Sequence, residues 1–230
     1  MKTVIKGKAS LSICIILLFT SFISFAQQVG PGGNLMYSYQ ITIPPGIGGM
    51  QPQLSLVYNS SGGDGFCGKG WSLSGLPIIT RDRSYPVNFN GNDHYLYNGQ
   101  RLIPGSNDYF HTEQESFMRI QGAGLNTSSS HWIVTQKKSG TKMYFGYNSD
   151  DHSAATDGHI NAIGEGGKAL LWALGKVKDT SGNFYTVEYA EDTTNGDYYP
   201  AKITYTKNTS DPLPATCTVE FFYESRDDHE

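Results

Sequence analysis

The stretch His94–Pro104, HYLYNGQRLIP, carries the clearest structural signal in the chain. Two alternating apolar and polar runs flank Asn98-Gly99, the dipeptide that favours a two-residue hairpin turn. Alternation with a period of two is typical of a β-strand that buries one face. The segment therefore predicts a β-hairpin whose turn is centred on Asn98 and Gly99.

The same alternation recurs along the chain, and it predicts an all-β protein built as an antiparallel β-hairpin meander. Short segments that contain glycine and serine, such as KKSG, separate the runs. KALLWAL (168–174) is the only segment that a helix could also explain, and we interpret it as a strand. The loops GAGLNTSSS and SDDHSAATDGHINAIGEGG are expected to be exposed and mobile. The alternating runs are MYSYQITI (36–43), QLSLVYN (53–59), SFMRIQ (116–121), HWIVTQ (131–136), KMYFGY (142–147), FYTVEYA (184–190), KITYT (202–206) and CTVEFFY (217–223).

The N-terminus has the pattern of a secretory signal peptide. Three lysines precede the apolar run LSICIILLF, and Ala26 offers a small residue at the cleavage position. We expect residues 1–26 to be removed and residues 27–230 to form one secreted β domain. No later segment approaches the roughly 20 apolar residues that a membrane-spanning helix needs, so no stable membrane span is expected.

The charge and cysteine content limit the possible partners. Loss of Lys2, Lys6 and Lys8 with the signal peptide takes the formal net charge from −4 to −7. An acidic chain repels phosphate backbones, so no nucleic acid partner is expected. Only Cys67 and Cys217 remain after cleavage; they could form a disulfide in an oxidising compartment, or each could be a small core residue or a thiol.

The stretch SSGGDGFCGKGW (60–71) contains most of a phosphate-binding loop, with Gly63, Gly68 and Lys69 in the required spacing. That motif needs a helix after the lysine and a hydroxyl that binds magnesium. Gly70 stands at the hydroxyl position, and the alternation that begins at Trp71 predicts a strand. We interpret the stretch as a structural turn formed by Gly63, Gly65, Gly68 and Gly70 that delivers Trp71 into the next strand.

No other pattern selects a catalytic, metal or cofactor site. One polar segment, Asp150–His159, could supply oxygen ligands to calcium, but its spacing matches no calcium motif and a solvated loop is favoured. Five glutamates could supply a pair of acids on a β scaffold, and nothing in the sequence selects two of them. Tyrosines on the strands could be core residues, which we favour, or a sugar-binding platform. The glutamates are Glu113, Glu115, Glu165, Glu188 and Glu220, and the tyrosines are Tyr37, Tyr39, Tyr58, Tyr95 and Tyr97.

An ordered set of motifs resembles one protein family. IPPG (43–46) is followed by P-x-L-S-L-x-Y-x-S (52–60). A glycine-rich motif that begins at Gly63 and includes Gly70-Trp71 comes next, and I-x-R (79–81) follows it. YLYNGQRLIP (95–104), LLWALGKVKDTSGNFYTVEY (170–189) and VEFFYESRDD (219–228) continue the same order. Together these motifs resemble the N-terminal region of SpvB-like virulence proteins and of the B subunits of insecticidal Tc toxin complexes, which are relatives of the Rhs/YD-repeat proteins. The resemblance covers residues 32–228.

The resemblance implies a non-catalytic structural module of a secreted toxin-like protein. Such modules contribute to a β-shell that surrounds a toxic payload, and any enzymatic activity lies in a separate C-terminal domain. It implies the rest of a shell, or a partner toxin subunit, as the binding partner, and no cofactor or catalytic residue can be transferred to this chain. Relatives are usually far longer, so we expect a C-terminally truncated domain. A secreted adhesion or glycan-binding β module, using Trp71 or Trp132, remains the alternative.

Overall fold

The computed structural model describes residues 28–30, 32–148, 158–192, 196–211, 215 and 217–224. The chain divides into two compact units. One comprises Val57–Ser72 and the described residues up to Tyr39, and the other comprises Gln40–Leu56 and the described residues from Leu73 onward. The predicted signal peptide lies outside the described residues, and the assignment of residues 27–230 to one domain stays a prediction.

The first sheet has four strands in sequence order. A single 3-10 turn at Ile47–Gly49 lies between its second and third strands. The runs MYSYQITI and QLSLVYN were both expected to form strands, and both do, although the first strand ends at Ile41. The strands are β1 (Gln28–Val29), β2 (Leu35–Ile41), β3 (Leu54–Asn59) and β4 (Trp71–Ser74).

The second sheet has twelve strands, and every described pairing within it is antiparallel. The predicted all-β, antiparallel fold class is therefore confirmed. The strands are β5 (Ile78–Arg81), β6 (Tyr95–Tyr97), β7 (Gln100–Pro104), β8 (Tyr109–Thr112), β9 (Met118–Ala123), β10 (His131–Gln136), β11 (Lys142–Phe145), β12 (His159–Asn161), β13 (Ala169–Lys178), β14 (Asn183–Asp192), β15 (Asp197–Asn208) and β16 (Cys217–Glu220).

Strand β13 closes part of this sheet on itself. Strands β5 to β11 pair with one another in sequence order, and β13 pairs with both β5 and β11, which makes a closed sheet of eight strands. The ten residues of β13 allow this, because Leu171–Ala173 pair with β5 while Lys176–Lys178 pair with β14. Strands β14, β15 and β16 thus form a branch that leaves the closed sheet at β13.

Large aromatic side chains fill the core of the closed sheet. Trp132 and Trp172 are fully buried, and their ring centroids lie 5.7 Å apart in an edge-to-face arrangement. The ring of Tyr95 lies 4.9 Å from Trp132 and 5.9 Å from Trp172. Edge-to-face aromatic contacts add to the free energy gained by burying these surfaces. Alternation along β6 and β10 places Tyr95 and Trp132 inside the closed sheet.

The structure confirms the predicted hairpin and corrects two other expectations. Asn98 and Gly99 have φ values of +46° and +78°, as a type I′ turn requires, and Tyr97 pairs with Gln100. KALLWAL lies in β13, as predicted. The expectation of an exposed loop is wrong at His159–Asn161, which form β12, because β12 pairs with β13 and buries His159. CTVEFFY is a strand only as far as Glu220.

Candidate functional site

Three amide groups of the Gly63–Trp71 turn donate to carbonyl oxygens of the same turn. Gly68 N donates to Gly65 O over 2.8 Å, Gly70 N donates to Gly63 O over 2.9 Å, and Trp71 N donates to Gly68 O over 3.1 Å. A phosphate-binding loop instead leaves its amides pointing at the ligand. The chain continues from Trp71 as strand β4 rather than as a helix. The geometry therefore favours a structural turn over a nucleotide site.

Gly70 is the position in this turn that most strictly requires a glycine. Its φ is +78°, and a Cβ atom there would lie 2.7 Å from Tyr58 Cε2 and 2.8 Å from the Asn59 carbonyl oxygen. Gly68 also has a positive φ, of +99°, but a Cβ atom there would have open space around it. Gly63 and Gly65 do not have positive φ values. The turn places Trp71 against Tyr58, with ring centroids 5.2 Å apart.

The two predicted disulfide partners lie in different compact units. Cys67 belongs to the turn that precedes β4, and Cys217 begins β16. Both residues are half-buried. A Cys67–Cys217 disulfide stays one of the alternatives that the sequence leaves open.

Arg81 is the centre of a buried polar cluster. In the sequence it stood out only as the arginine of the I-x-R motif (79–81). Its guanidinium donates to the Ala169 carbonyl oxygen through Nε and to the Leu125 carbonyl oxygen through Nη2, both over 2.8 Å. Nη1 forms an ion pair with the Asp93 carboxylate, and both side chains are almost completely buried. The guanidinium also lies over the Phe89 ring, 4.7 Å from its centroid.

Asp93 connects the segment before β6 to this cluster. Its carboxylate accepts hydrogen bonds from Asn88 N over 2.8 Å and from Phe89 N over 2.9 Å. The charge pair thus joins β5, β13, the segment after β9 and the segment before β6. All of its hydrogen bonds are internal, so the Arg81 cluster is suited to holding the closed sheet together rather than to binding a substrate. Asp93 carries no signal of its own in the sequence, because Gly-Asn-Asp at 91–93 has the composition of an ordinary turn.

A second buried polar group has the residue types of a hydrolase site. Ser130 Oγ lies 3.0 Å from His159 Nε2, and His159 Nδ1 lies 3.1 Å from Asn161 Oδ1. A nucleophile, a base and an orienting residue are arranged in this way in acyl-transfer enzymes. Here Ser130 and His159 are 1% and 2% exposed, and the indole Nε1 of Trp172 also donates to Ser130 Oγ over 3.1 Å. A substrate could not reach this hydroxyl, so we interpret the group as structural.

The hydrogen-bond network around His159 is satisfied by a neutral imidazole. Ser130 Oγ accepts from Trp172 and can donate its own proton to His159 Nε2. A proton on that nitrogen would make Ser130 Oγ accept from both His159 and Trp172, and His159 Nε2 could then no longer accept the Ser130 hydroxyl proton. Burial lowers the pKa of His159, and the neighbouring charges of Arg81 and His131 lower it further, whereas the hydrogen bond with Asn161 raises it.

Aromatic residues proposed as a binding platform are divided between the core and the surface. Tyr95 and Tyr97 are buried, as favoured from the sequence, whereas Tyr39 is 55% exposed. Tyr37 and Tyr58 are half-buried. Trp132 is completely buried and cannot contact a glycan, so the expectation that it could serve such a platform is wrong.

Strand β16 is the last strand of the branch and forms an edge of the described sheet. Phe221 N donates to Ala201 O of β15 over 3.0 Å. Because successive residues of a strand direct their backbone groups to opposite sides, the amides of Thr218 and Glu220 point away from β15. Phe222 follows at 87% exposure. Outward amides beside an exposed aromatic ring are suited to pairing with a further strand.

The described residues contain no group of three or more His, Cys, Asp or Glu side chains arranged to hold a metal ion. None of the helical structure in that part of the chain is long and apolar enough to cross a membrane.

Comparisons with known proteins relate the chain to toxin components. Residues 29–115 match the family model described as SpvB, Salmonella virulence plasmid 65kDa B protein. A search of curated protein sequences gave no match. Solved structures extend the likeness beyond the matched segment, at identities that show the fold alone.

Three solved structures illustrate this likeness. The crystal structure of TcdB2-TccC3 has a TM-score of 0.65 at 16% identity, over 77% of this chain and 10% of that chain. A Photorhabdus luminescens Tc holotoxin pore has a TM-score of 0.64 at 18% identity, over 78% of this chain and 10% of that chain. The N-terminal domain of the effector SpvB from Salmonella typhimurium strain LT2 has a TM-score of 0.58 at 17% identity, over 77% of this chain and 65% of that chain.

The resemblance inferred from the sequence motifs is thus confirmed. The chain is similar to the SpvB N-terminal domain and to Tc toxin components, and it spans about a tenth of the Tc chains it matches.

Proposed function

We propose that this chain is a non-catalytic structural module of a secreted toxin-like protein, and that it contributes strands to a β-shell which encloses or delivers a toxic payload. The observation that carries the proposal is the edge formed by β16. A closed sheet of eight strands supplies a rigid body, and the branch β14–β16 extends from it to an edge whose outward backbone groups can pair with the next strand. Any toxin activity would belong to another domain.

The polar clusters of the described residues support a structural role. The Arg81–Asp93 pair and the Ser130–His159 pair are both buried and internally hydrogen-bonded. Buried, mutually satisfied polar groups stabilise one arrangement of the strands, whereas an active site needs a polar group that a substrate can reach. Export through the signal peptide and assembly with a partner toxin subunit or the rest of the shell are parts of the same proposal.

The edge can be tested by a single substitution. Thr218→Pro removes an amide that points away from β15, so it should block further pairing and leave the β15–β16 hydrogen bonds intact. Val219→Pro is the matched control, because it removes an amide on the inward side and should destabilise the branch. Sedimentation of residues 27–230 over a range of concentrations is the measurement.

We expect the unsubstituted module to self-associate through the unpaired edge and Thr218→Pro to remain monomeric with an unchanged melting temperature. If the unsubstituted module stays a monodisperse monomer at every concentration, β16 is not an assembly edge and the proposal fails.

A further inference from the structure

The outer face of the second sheet carries a line of basic side chains brought together only by strand register. Arg119 pairs with Thr135, Thr135 pairs with Lys142, and Lys142 pairs with Lys178. The line continues because Lys178 pairs with Phe184, and Phe184 pairs with Lys207. Directly paired residues of an antiparallel sheet share a face. We define the basic row as Arg119, Lys142, Lys178 and Lys207.

The basic row faces away from the core. Met143 and Val177, which neighbour the row in sequence, are core residues. Since successive side chains of a strand alternate between faces, Lys142 and Lys178 point outward. Arg119 and Lys142 are exposed, and Lys178 and Lys207 are half-buried. At the usual strand spacing of about 4.8 Å, the part of the row from Lys142 to Lys207 spans about 14 Å.

The basic row lacks the compensating acids that accompany lysines elsewhere. Lys202 forms an ion pair with Glu220 over 3.5 Å, and Lys137 forms one with Glu115 over 3.7 Å. Among the described residues, no such ion pair involves a member of the row. Asp179, next to Lys178 in sequence, keeps its negative charge, and its carboxylate is held by hydrogen bonds from Ser181 N and from Asn183.

Two members of the basic row oppose each other at a cost to stability. Lys142 and Lys178 are directly paired, and like charges in paired positions destabilise a sheet. The chain as a whole is acidic, with a formal net charge of −4, so this concentration of positive charge is local. Arg119 contacts the Tyr109 ring at 4.2 Å, a contact that leaves its charge in place. A line of like charge that crosses several strands without ion-paired acids is the electrostatic complement of a linear polyanion.

The surroundings of the basic row distinguish among polyanions. The Phe184 ring within it has Lys176 Nζ 4.2 Å and Lys207 Nζ 5.7 Å from its centroid, so the ring is not open for a nucleic acid base to stack on. An acidic peptide strand pairs with a sheet along an edge, whereas the row runs across strands on a face, where no backbone groups are available. A linear polysaccharide with regularly spaced anionic groups requires neither stacking nor backbone pairing.

We propose that the basic row binds a linear sulfated polysaccharide. The inference is independent of shell assembly, because the row lies on the face of the sheet and not on the β16 edge. The test is heparin binding by the purified protein at low and at physiological salt, with a neutral dextran as the uncharged probe. The row variant is Lys142→Gln/Lys178→Gln/Lys207→Gln, and the control is Lys69→Gln/Lys168→Gln/Lys202→Gln, which changes the net charge equally.

We expect heparin to bind, dextran not to bind, and salt to weaken the complex. The row variant should lose about tenfold or more in affinity and show a flatter salt dependence, while the control stays near the unsubstituted protein. Thermal unfolding should show both variants folded. The proposal is overturned if heparin does not bind, or if the two variants bind equally. Equal or tighter binding of duplex DNA or of poly-glutamate would overturn the polysaccharide assignment in favour of that partner.

Discussion

Replacement of Arg81 by methionine tests whether the buried Arg81 cluster holds the closed sheet together. Methionine keeps much of the aliphatic volume and removes the guanidinium. The change leaves the Asp93 carboxylate about 1% exposed without its counter-charge, and it leaves the carbonyl oxygens of Ala169 and Leu125 without their donor. Breaking a buried ion pair in this way costs about 3–5 kcal/mol.

The cost should be visible as a fall in melting temperature. For a domain of this size, each kcal/mol corresponds to about 2–4 °C, so we expect a decrease of about 6–20 °C in a circular dichroism melt. Urea unfolding gives the same loss as a free energy. Arg83→Met is the matched control, because Arg83 is exposed and lies two residues away. If Arg81→Met melts within a degree or two of Arg83→Met, the cluster does not stabilise the sheet and the reasoning is refuted.

Three further predictions concern the glycine turn and the buried histidine. Gly70→Val should lower the melting temperature strongly, because Gly70 has a positive φ and a Cβ atom there would collide with Tyr58. Gly63→Val should change the melting temperature little, because Gly63 lies in open space. Equal melting temperatures for the two variants would contradict the turn geometry. Lys69→Ala should leave both the melting temperature and nucleotide titrations unchanged, and loss of a measurable ATP affinity would contradict this. Since the folded-state pKa of His159 is lowered, its contribution to stability is complete above the unfolded pKa of about 6.5 and is lost as the pH falls below that value, by at most about 1.4 kcal/mol per pH unit. His159→Gln should make the free energy of unfolding, measured in urea, depend less on pH between pH 7.5 and the folded-state pKa of His159. An unchanged pH dependence would contradict the proposed role of the buried imidazole.

The strands were predictable from the sequence because their signal is local. Alternation identified HYLYNGQRLIP and HWIVTQ. KALLWAL is apolar and short without a clear period, because β13 is buried along most of its length, so the sequence left a helix as the other interpretation. The loop that contains His159 was expected to be exposed because its composition is polar. Pairing of β12 with β13 overrides that composition and buries the imidazole.

Closure of the sheet and the polar clusters were not predictable, because both depend on register between distant segments. Lys142 meets Lys178 only because β11 pairs with β13, and the order of strands in the sequence does not indicate that pairing. Arg81 and Asp93 are twelve residues apart on either side of an irregular segment, so no periodic pattern connects them. The glycine-rich segment GKGW indicated a turn. The sequence does not distinguish Gly70, where a Cβ atom would collide with Tyr58 and Asn59, from Gly63, where a Cβ atom would have open space.

Amide hydrogen exchange along β16 tests most directly whether this module joins a larger β-shell through its edge. The outward amides of Thr218 and Glu220 should exchange rapidly in the dilute module, while the inward amide of Val219 is protected. When the module is assembled, at high concentration or with its partner subunit, Thr218 and Glu220 should become protected as well. If an assembly forms and those two amides continue to exchange as rapidly as in the monomer, the edge is not the joint and the account is wrong.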